Sequence, residues 1–81
     1  MNKADKLKAK LLANQGYHNF AFHDLVTLLK ALGFVHDRTR GSHQWYKHPQ
    51  IPEPVNIQSF GGQAKPYQLR QVRDIIEEHQ L

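Results

Sequence analysis

Apolar residues recur along this chain with two different periods, helical and alternating, and each predicts its own kind of element. From Lys3 to about Asn14, Leu7, Leu11 and Leu12 form one stripe behind a possible N-cap at Asn2, with Gly16 as a stop. This short helix is weakly amphipathic and marginal alone, so it has to dock to persist. Tyr17, Phe20 and Phe22 follow as an aromatic connector that packs it against the remainder. The next segment is the clearest: Leu25, Val26, Leu28, Leu29 and Leu32 fall at helical spacing, Asp24 lies near the start, and Gly33 stands where a left-handed C′ residue belongs.

After Gly33 the period drops to two. Phe34, His36 and Arg38 alternate with Val35, Asp37 and Thr39, which predicts a strand. Arg40-Gly41-Ser42 is a turn signal, and a second strand runs from His43 to about His48, giving a hairpin. Pro49, Pro52 and Pro54 predict a loop over Gln50 to Glu53. Val55, Asn56, Ile57 and Gln58 alternate again as a third strand, which Gly61-Gly62 ends. Pro66 opens a last helix with Leu69, Val72, Ile75 and Ile76 buried and Arg70, Arg73, Asp74, Glu77 and Glu78 in water. The expected fold is α+β: an extra N-terminal helix, then α-β-β-β-α, with a three-stranded antiparallel sheet and its helices on one face.

An 81-residue chain has room for one small core. Its 40% hydrophobic and 22% charged residues are those of a folding protein, and without cysteine it has no disulfide framework and no thiolate metal site. The formal charge of +4, with six histidines besides, favours nucleic acid or an acidic protein as partner and does not choose between them. There is no apolar leader core and no run near the ~20 residues that span a bilayer, so a soluble, cytoplasmic protein is expected.

Chemistry concentrates in RGSHQWYKHP, Arg40 to Pro49. His43, at a strand start beside a glycine turn, is positioned by the ladder and open to solvent, where an imidazole can move a proton near neutral pH. By residue type alone, a hairpin histidine is an ordinary surface group. Arg38, Arg40, Lys47 and His48 surround it and would attract phosphates or stabilise a pentacoordinate anion; taken singly, each is a solvated surface cation. Trp45 and Tyr46 point to opposite faces, one covering the helices and the other free to stack on a base. Tyr46 is the candidate for exposure, although His43, Trp45 and Lys47 share a face and the alternation leaves the buried side undecided. His43 and His48, five apart on a strand, and His18 and His23, on a connector, do not have zinc-ligand spacing, and Ser42 beside His43 is no triad because strand neighbours face apart.

The ordered set of DLVTLLKALGF, RxRGSHQWYKHP and NIQSFGGQAKPYQLRQVRDII resembles the HicA family of bacterial toxins over about Phe22 to His79. The resemblance divides the chain into an extension, residues 1–21, and a domain, residues 22–81. It implies a double-stranded-RNA-binding-like fold and a metal-independent endoribonuclease, without cofactor, that cuts mRNA and is neutralised by a HicB-type antitoxin. Through Gly41-Ser42-His43 it maps the catalytic histidine onto His43. Arg38, Arg40, Gly41, Ser42, Tyr46, Lys47 and His48 then become RNA contacts, with His48 or Tyr46 as a second proton donor. Many relatives carry a proline-histidine pair in the third strand; Gln58-Ser59-Phe60 stands there instead. The alternatives are a non-catalytic RNA-binding module and a protein-interaction module.

Overall fold

The computed structural model describes residues 2–13, 17 and 19–81. Asn14, Gly16 and His18, which figure in the sequence reading, lie outside the described residues. The elements are α1 (Lys3–Ala13), α2 (Phe22–Ala31), β1 (Val35–Arg40), β2 (His43–His48), β3 (Ile51–Gln58) and α3 (Pro66–His79). The strands form one antiparallel sheet in the order β1-β2-β3, so the fold is α+β with the α-β-β-β-α order preceded by α1.

Local signals account for most boundaries. Asn2 caps α1: its Oδ1 accepts the Asp5 N–H at 2.8 Å, satisfying one of the donors a helix start leaves unpaired. Leu7 and Leu11 are buried, whereas Leu12 is 42% exposed. Residues four apart share a face and the next position turns about 100° away, so Leu12 leaves the stripe expected of it. At the end of α2, the Gly33 N–H donates to the Lys30 carbonyl at 3.1 Å and the Phe34 N–H to the Leu29 carbonyl at 3.0 Å. Those two bonds are a Schellman closure, and they require positive φ at Gly33, observed at 103°. Between β1 and β2 the two-residue Gly41-Ser42 loop has positive φ at Gly41 alone (57°), the pattern of a type II′ hairpin.

The expected loop over Gln50 to Glu53 is corrected. Only Pro49-Gln50 turns, His48 pairs with Ile51, and β3 includes Pro52 and Pro54. Their lack of an N–H is tolerated because β3 lies at the sheet edge and its register shifts between Tyr46 and His48 in the β2 pairing, a bulge that opens the ladder at these prolines.

One cluster forms the core. Phe20, Leu25, Leu28, Leu29 and Phe34 meet Tyr46, Val55 and Ile57 from the sheet and Leu69, Val72 and Ile76 from α3, with Leu7 and Leu11 of α1 in the same cluster. The connector closes it: the Phe22 N–H reaches the Gly62 carbonyl and the Ala64 N–H the Phe20 carbonyl, both at 2.9 Å. Tyr17 is buried beneath the Arg73 guanidinium, 5.3 Å from its ring. Gln68, fully buried in the apolar stripe of α3, ties that helix to the sheet edge by donating Nε2–H to the Gln58 carbonyl at 3.1 Å.

Gly33 is the most exacting position outside the core. A Cβ there would lie 3.0 Å from His48 Nε2, on a backbone conformation that L residues avoid. Gly33→Ala is expected to cost about 2 kcal/mol and lower the melting temperature by roughly 8–16 °C in a domain of this size; an unchanged melting transition would contradict the closure.

Candidate functional site

The register of the sheet decides what the hairpin presents. Across the ladder, Thr39, Gln44 and Ile57 form one row and His36, Tyr46 and Val55 another. Ile57 and Val55 are fully buried, so these rows face the helices. The intervening rows, Arg40-His43-Gln58 and Arg38-Trp45-Asn56, therefore face outward with Lys47. This corrects the expectation for Tyr46: it is 2% exposed, its ring meets His36 edge-on at 5.4 Å, and its hydroxyl donates to Gln44 Oε1 at 2.7 Å. Trp45, not Tyr46, is the aromatic of the open face.

On that face His43 is exposed, its Nδ1 3.4 Å from Asn56 Oδ1 and its ring 5.9 Å from that of Trp45. The Arg38 guanidinium lies over the same indole, 4.8 Å from its ring centroid, so Trp45 orders a cation and an imidazole together. Arg40 pairs directly across from His43. Neither Arg38 nor Arg40 has a carboxylate partner among the described residues, whereas Lys47 Nζ is 3.3 Å from Asp37 Oδ1 at the β1 bulge and is partly neutralised. Ser42 braces the tip, its Oγ accepting the Gln58 Nε2–H at 2.5 Å, and Gly41 leaves open space beside it.

His48 is placed differently. It lies on the helix-facing side, its ring edge-on to Phe34 at 5.0 Å. Its Nδ1 accepts the Gln50 N–H at 3.1 Å, which leaves Nε2–H to donate to the Leu32 carbonyl at 3.0 Å. Both ring nitrogens are thus engaged in tying the β2–β3 turn to the end of α2. The structure brings together Arg38, Arg40, Ser42, His43 and Lys47 and separates Tyr46 and His48 from them. Asn56 and Gln58 join the site without having been singled out; the alternation Val55-Asn56-Ile57-Gln58 carried the signal, since two β-branched apolar residues facing in oblige their neighbours to face out. Among the described residues no three His, Asp or Glu side chains converge as metal ligands would.

An α+β domain that leaves one cationic, histidine-bearing sheet face uncovered is the class this geometry defines. Residues 22–81 match the family model described as the HicA toxin of bacterial toxin-antitoxin, and the chain belongs to that family. It is thereby the toxin side of a toxin-antitoxin pair, and its family points to an antitoxin as partner. No curated protein and no solved structure matches the chain. Among the described residues no helix is long and apolar enough to cross a membrane.

Two measurements check these placements. His48→Ala should lower stability by about 2 kcal/mol by leaving the Leu32 carbonyl and Gln50 N–H without partners, and a wild-type melting curve would contradict it. Burial pushes the Tyr46 phenol above its ordinary value. A phenol raised in the folded state contributes stability that is complete below about pH 10 and is lost as pH rises from there through the folded value. The alkaline absorbance difference between wild type and Tyr46→Phe should therefore have its midpoint above pH 10 or so; a midpoint below that would place the hydroxyl in water.

Proposed function

We propose that the chain is a metal-independent endoribonuclease that cuts mRNA, arrests translation and growth, and is neutralised by a HicB-type antitoxin. The observation that carries this reading is His43: a solvent-open imidazole with a polar partner on one nitrogen, beside arginines that have no carboxylate partner among the described residues. RNA supplies its own nucleophile, so no activated water is needed for the first step. The base takes the proton of the ribose 2′-hydroxyl, the 2′-oxygen bonds to phosphorus, and the phosphorus–O5′ bond breaks with a proton delivered to O5′. The products are a 2′,3′-cyclic phosphate and a 5′-hydroxyl.

Each outward side chain has a role in that scheme. Asn56 Oδ1 accepts Nδ1–H of His43 and so favours the tautomer whose Nε2 lone pair is free to act as base. Arg40 and Arg38 offset the charge that builds on the phosphorane, and Lys47 contributes less because Asp37 shares it. The donor expected from Tyr46 or His48 drops out, since both face the helices. Among the described residues, His43 is the sole imidazole of the open face, so it both takes the 2′ proton and returns one to O5′. The antitoxin acts by covering this face, and an acidic surface on it would speed encounter with the basic toxin.

Incubation of purified protein with RNA should yield fragments ending in cyclic phosphate, undiminished by EDTA. His43→Ala should reduce the rate by about 10²–10⁴-fold with an unchanged melting transition, and its induction should no longer arrest growth. A folded His43→Ala protein that cuts at the native rate would defeat the assignment. Binding of intact RNA with no fragments from wild type would favour the non-catalytic module.

A further inference from the structure

The positive charge of this chain is not spread evenly. Residues 38–73 hold six Lys and Arg, at positions 38, 40, 47, 65, 70 and 73, against a single acid, Glu53. That segment is therefore +5, while the rest, with five Lys against six carboxylates, is −1, which together make the chain's +4. From Pro54 to Arg73 there is no carboxylate at all. Lys47 and Arg73 pair with Asp37 and Asp74 just outside that segment. Of the four cations left without a carboxylate partner among the described residues, Arg38 and Arg40 lie on the His43 face, and Lys65 and Arg70 extend past the third strand onto the start of α3.

The geometry joins the two. The row Arg40-His43-Gln58 crosses all three strands, and Gln58 ends it at the sheet edge. The Gln58 carbonyl receives Gln68 Nε2–H at 3.1 Å, so the first turn of α3 abuts the end of that row. Two residues beyond Gln58, Phe60 begins the tight turn that Gln63 closes, with N–H to carbonyl distances of 2.9 and 3.1 Å in the two directions. Lys65 Nζ then sits 4.5 Å from the Phe60 ring centroid. Beside Gln68, Tyr67 is 51% exposed, and Phe60 is 37% exposed, so neither ring is spent on the core. Lys65 has no carboxylate partner among the described residues. The groove at the other end of β3, by contrast, is bordered by Glu53 and Glu78, charges that repel a polyanion.

We propose that Phe60, Lys65 and Tyr67 form a second RNA subsite, in which an unpaired base stacks on an exposed ring and Lys65 holds the adjoining phosphate, anchoring the strand to one side of the bond presented to His43. The inference rests on the ribonuclease reading. It specifies single-stranded substrate, because a base within a duplex offers its face to its neighbours and not to a side chain. Neighbouring strands are about 4.8 Å apart, so Arg40 and Gln58 are roughly 10 Å apart across the row. With the patch beyond it, the footprint covers several nucleotides.

The test uses His43→Ala protein, which binds without cutting, and a fluorescent single-stranded RNA of mixed sequence, titrated by anisotropy at several salt concentrations. Adding Tyr67→Ala or Phe60→Ala should weaken binding roughly tenfold, within the range of one lost base stack, while Tyr67→Phe binds like its parent. Lys65→Gln should reduce the slope of log affinity against log salt by about 0.7, one phosphate's share on a single strand. In the cutting protein the same changes should raise KM and leave kcat nearly unchanged. Melting curves accompany each variant, and Lys65→Gln, on an exposed side chain, carries the test if an aromatic substitution unfolds the chain. Unchanged affinity, slope and KM at all three positions in a protein that does cut RNA would overturn the subsite alone, and the patch would then belong to a protein partner. A wild type that neither binds nor cuts RNA would overturn the ribonuclease reading and the subsite together.

Discussion

The inward seat of Tyr46 governs the candidate functional surface. Strand side chains alternate, so once this ring is packed with Val55 and Ile57 against the helices, His43, Trp45 and Lys47 have no choice but the solvent side. A slip of one residue in β2 would bury the imidazole and expose the phenol. Burial of a large aromatic in a close-packed core opposes that slip, as does the hydroxyl's bond to Gln44, which spares it an unpaired polar atom in the interior. The candidate chemistry is thus fixed by hydrophobic packing on the opposite side of the sheet.

This is also where the sequence was least informative. The helical stripes of α2 and α3, the Asn2 cap, the Gly33 closure and the Gly41-Ser42 hairpin are local features, and each was readable from neighbours within a few positions. Whether Trp45 or Tyr46 faces inward is not local: both are amphipathic aromatics, and the choice comes from pairing with a strand ten residues on. Prolines misled the placement of β3, because a break signal cannot tell an edge strand with a bulge from a loop. Gln68 was invisible for a related reason. A polar residue in an apolar stripe looks like solvent-facing helix until the carbonyl it satisfies, at Gln58, is known to lie opposite. The ordered motif set was legible enough to name the family, and the match over residues 22–81 bears that out.

Outside the matched region, α1 shares the common core through Leu7 and Leu11, and Lys10 bonds the Asn19 carbonyl at 2.8 Å while lying 5.0 Å from the Phe20 ring. This helix carries four lysines against one acid, Asp5, but it packs on α2 and α3, so it adds bulk behind the sheet without adding to the cationic sheet face. Support and candidate chemistry are divided between the two sides of a single layer of strands.

Pro52 and Pro54 have a last consequence. An outermost strand ordinarily offers its unpaired amides to any extended chain that drifts alongside, and identical molecules can zip into fibrils by that route. Here the first half of that rim lacks two amide hydrogens, so neither a sister copy nor a captured peptide can lengthen the sheet through it. Recognition by a partner has to proceed through side chains there, which guards a small protein against polymerising along this border.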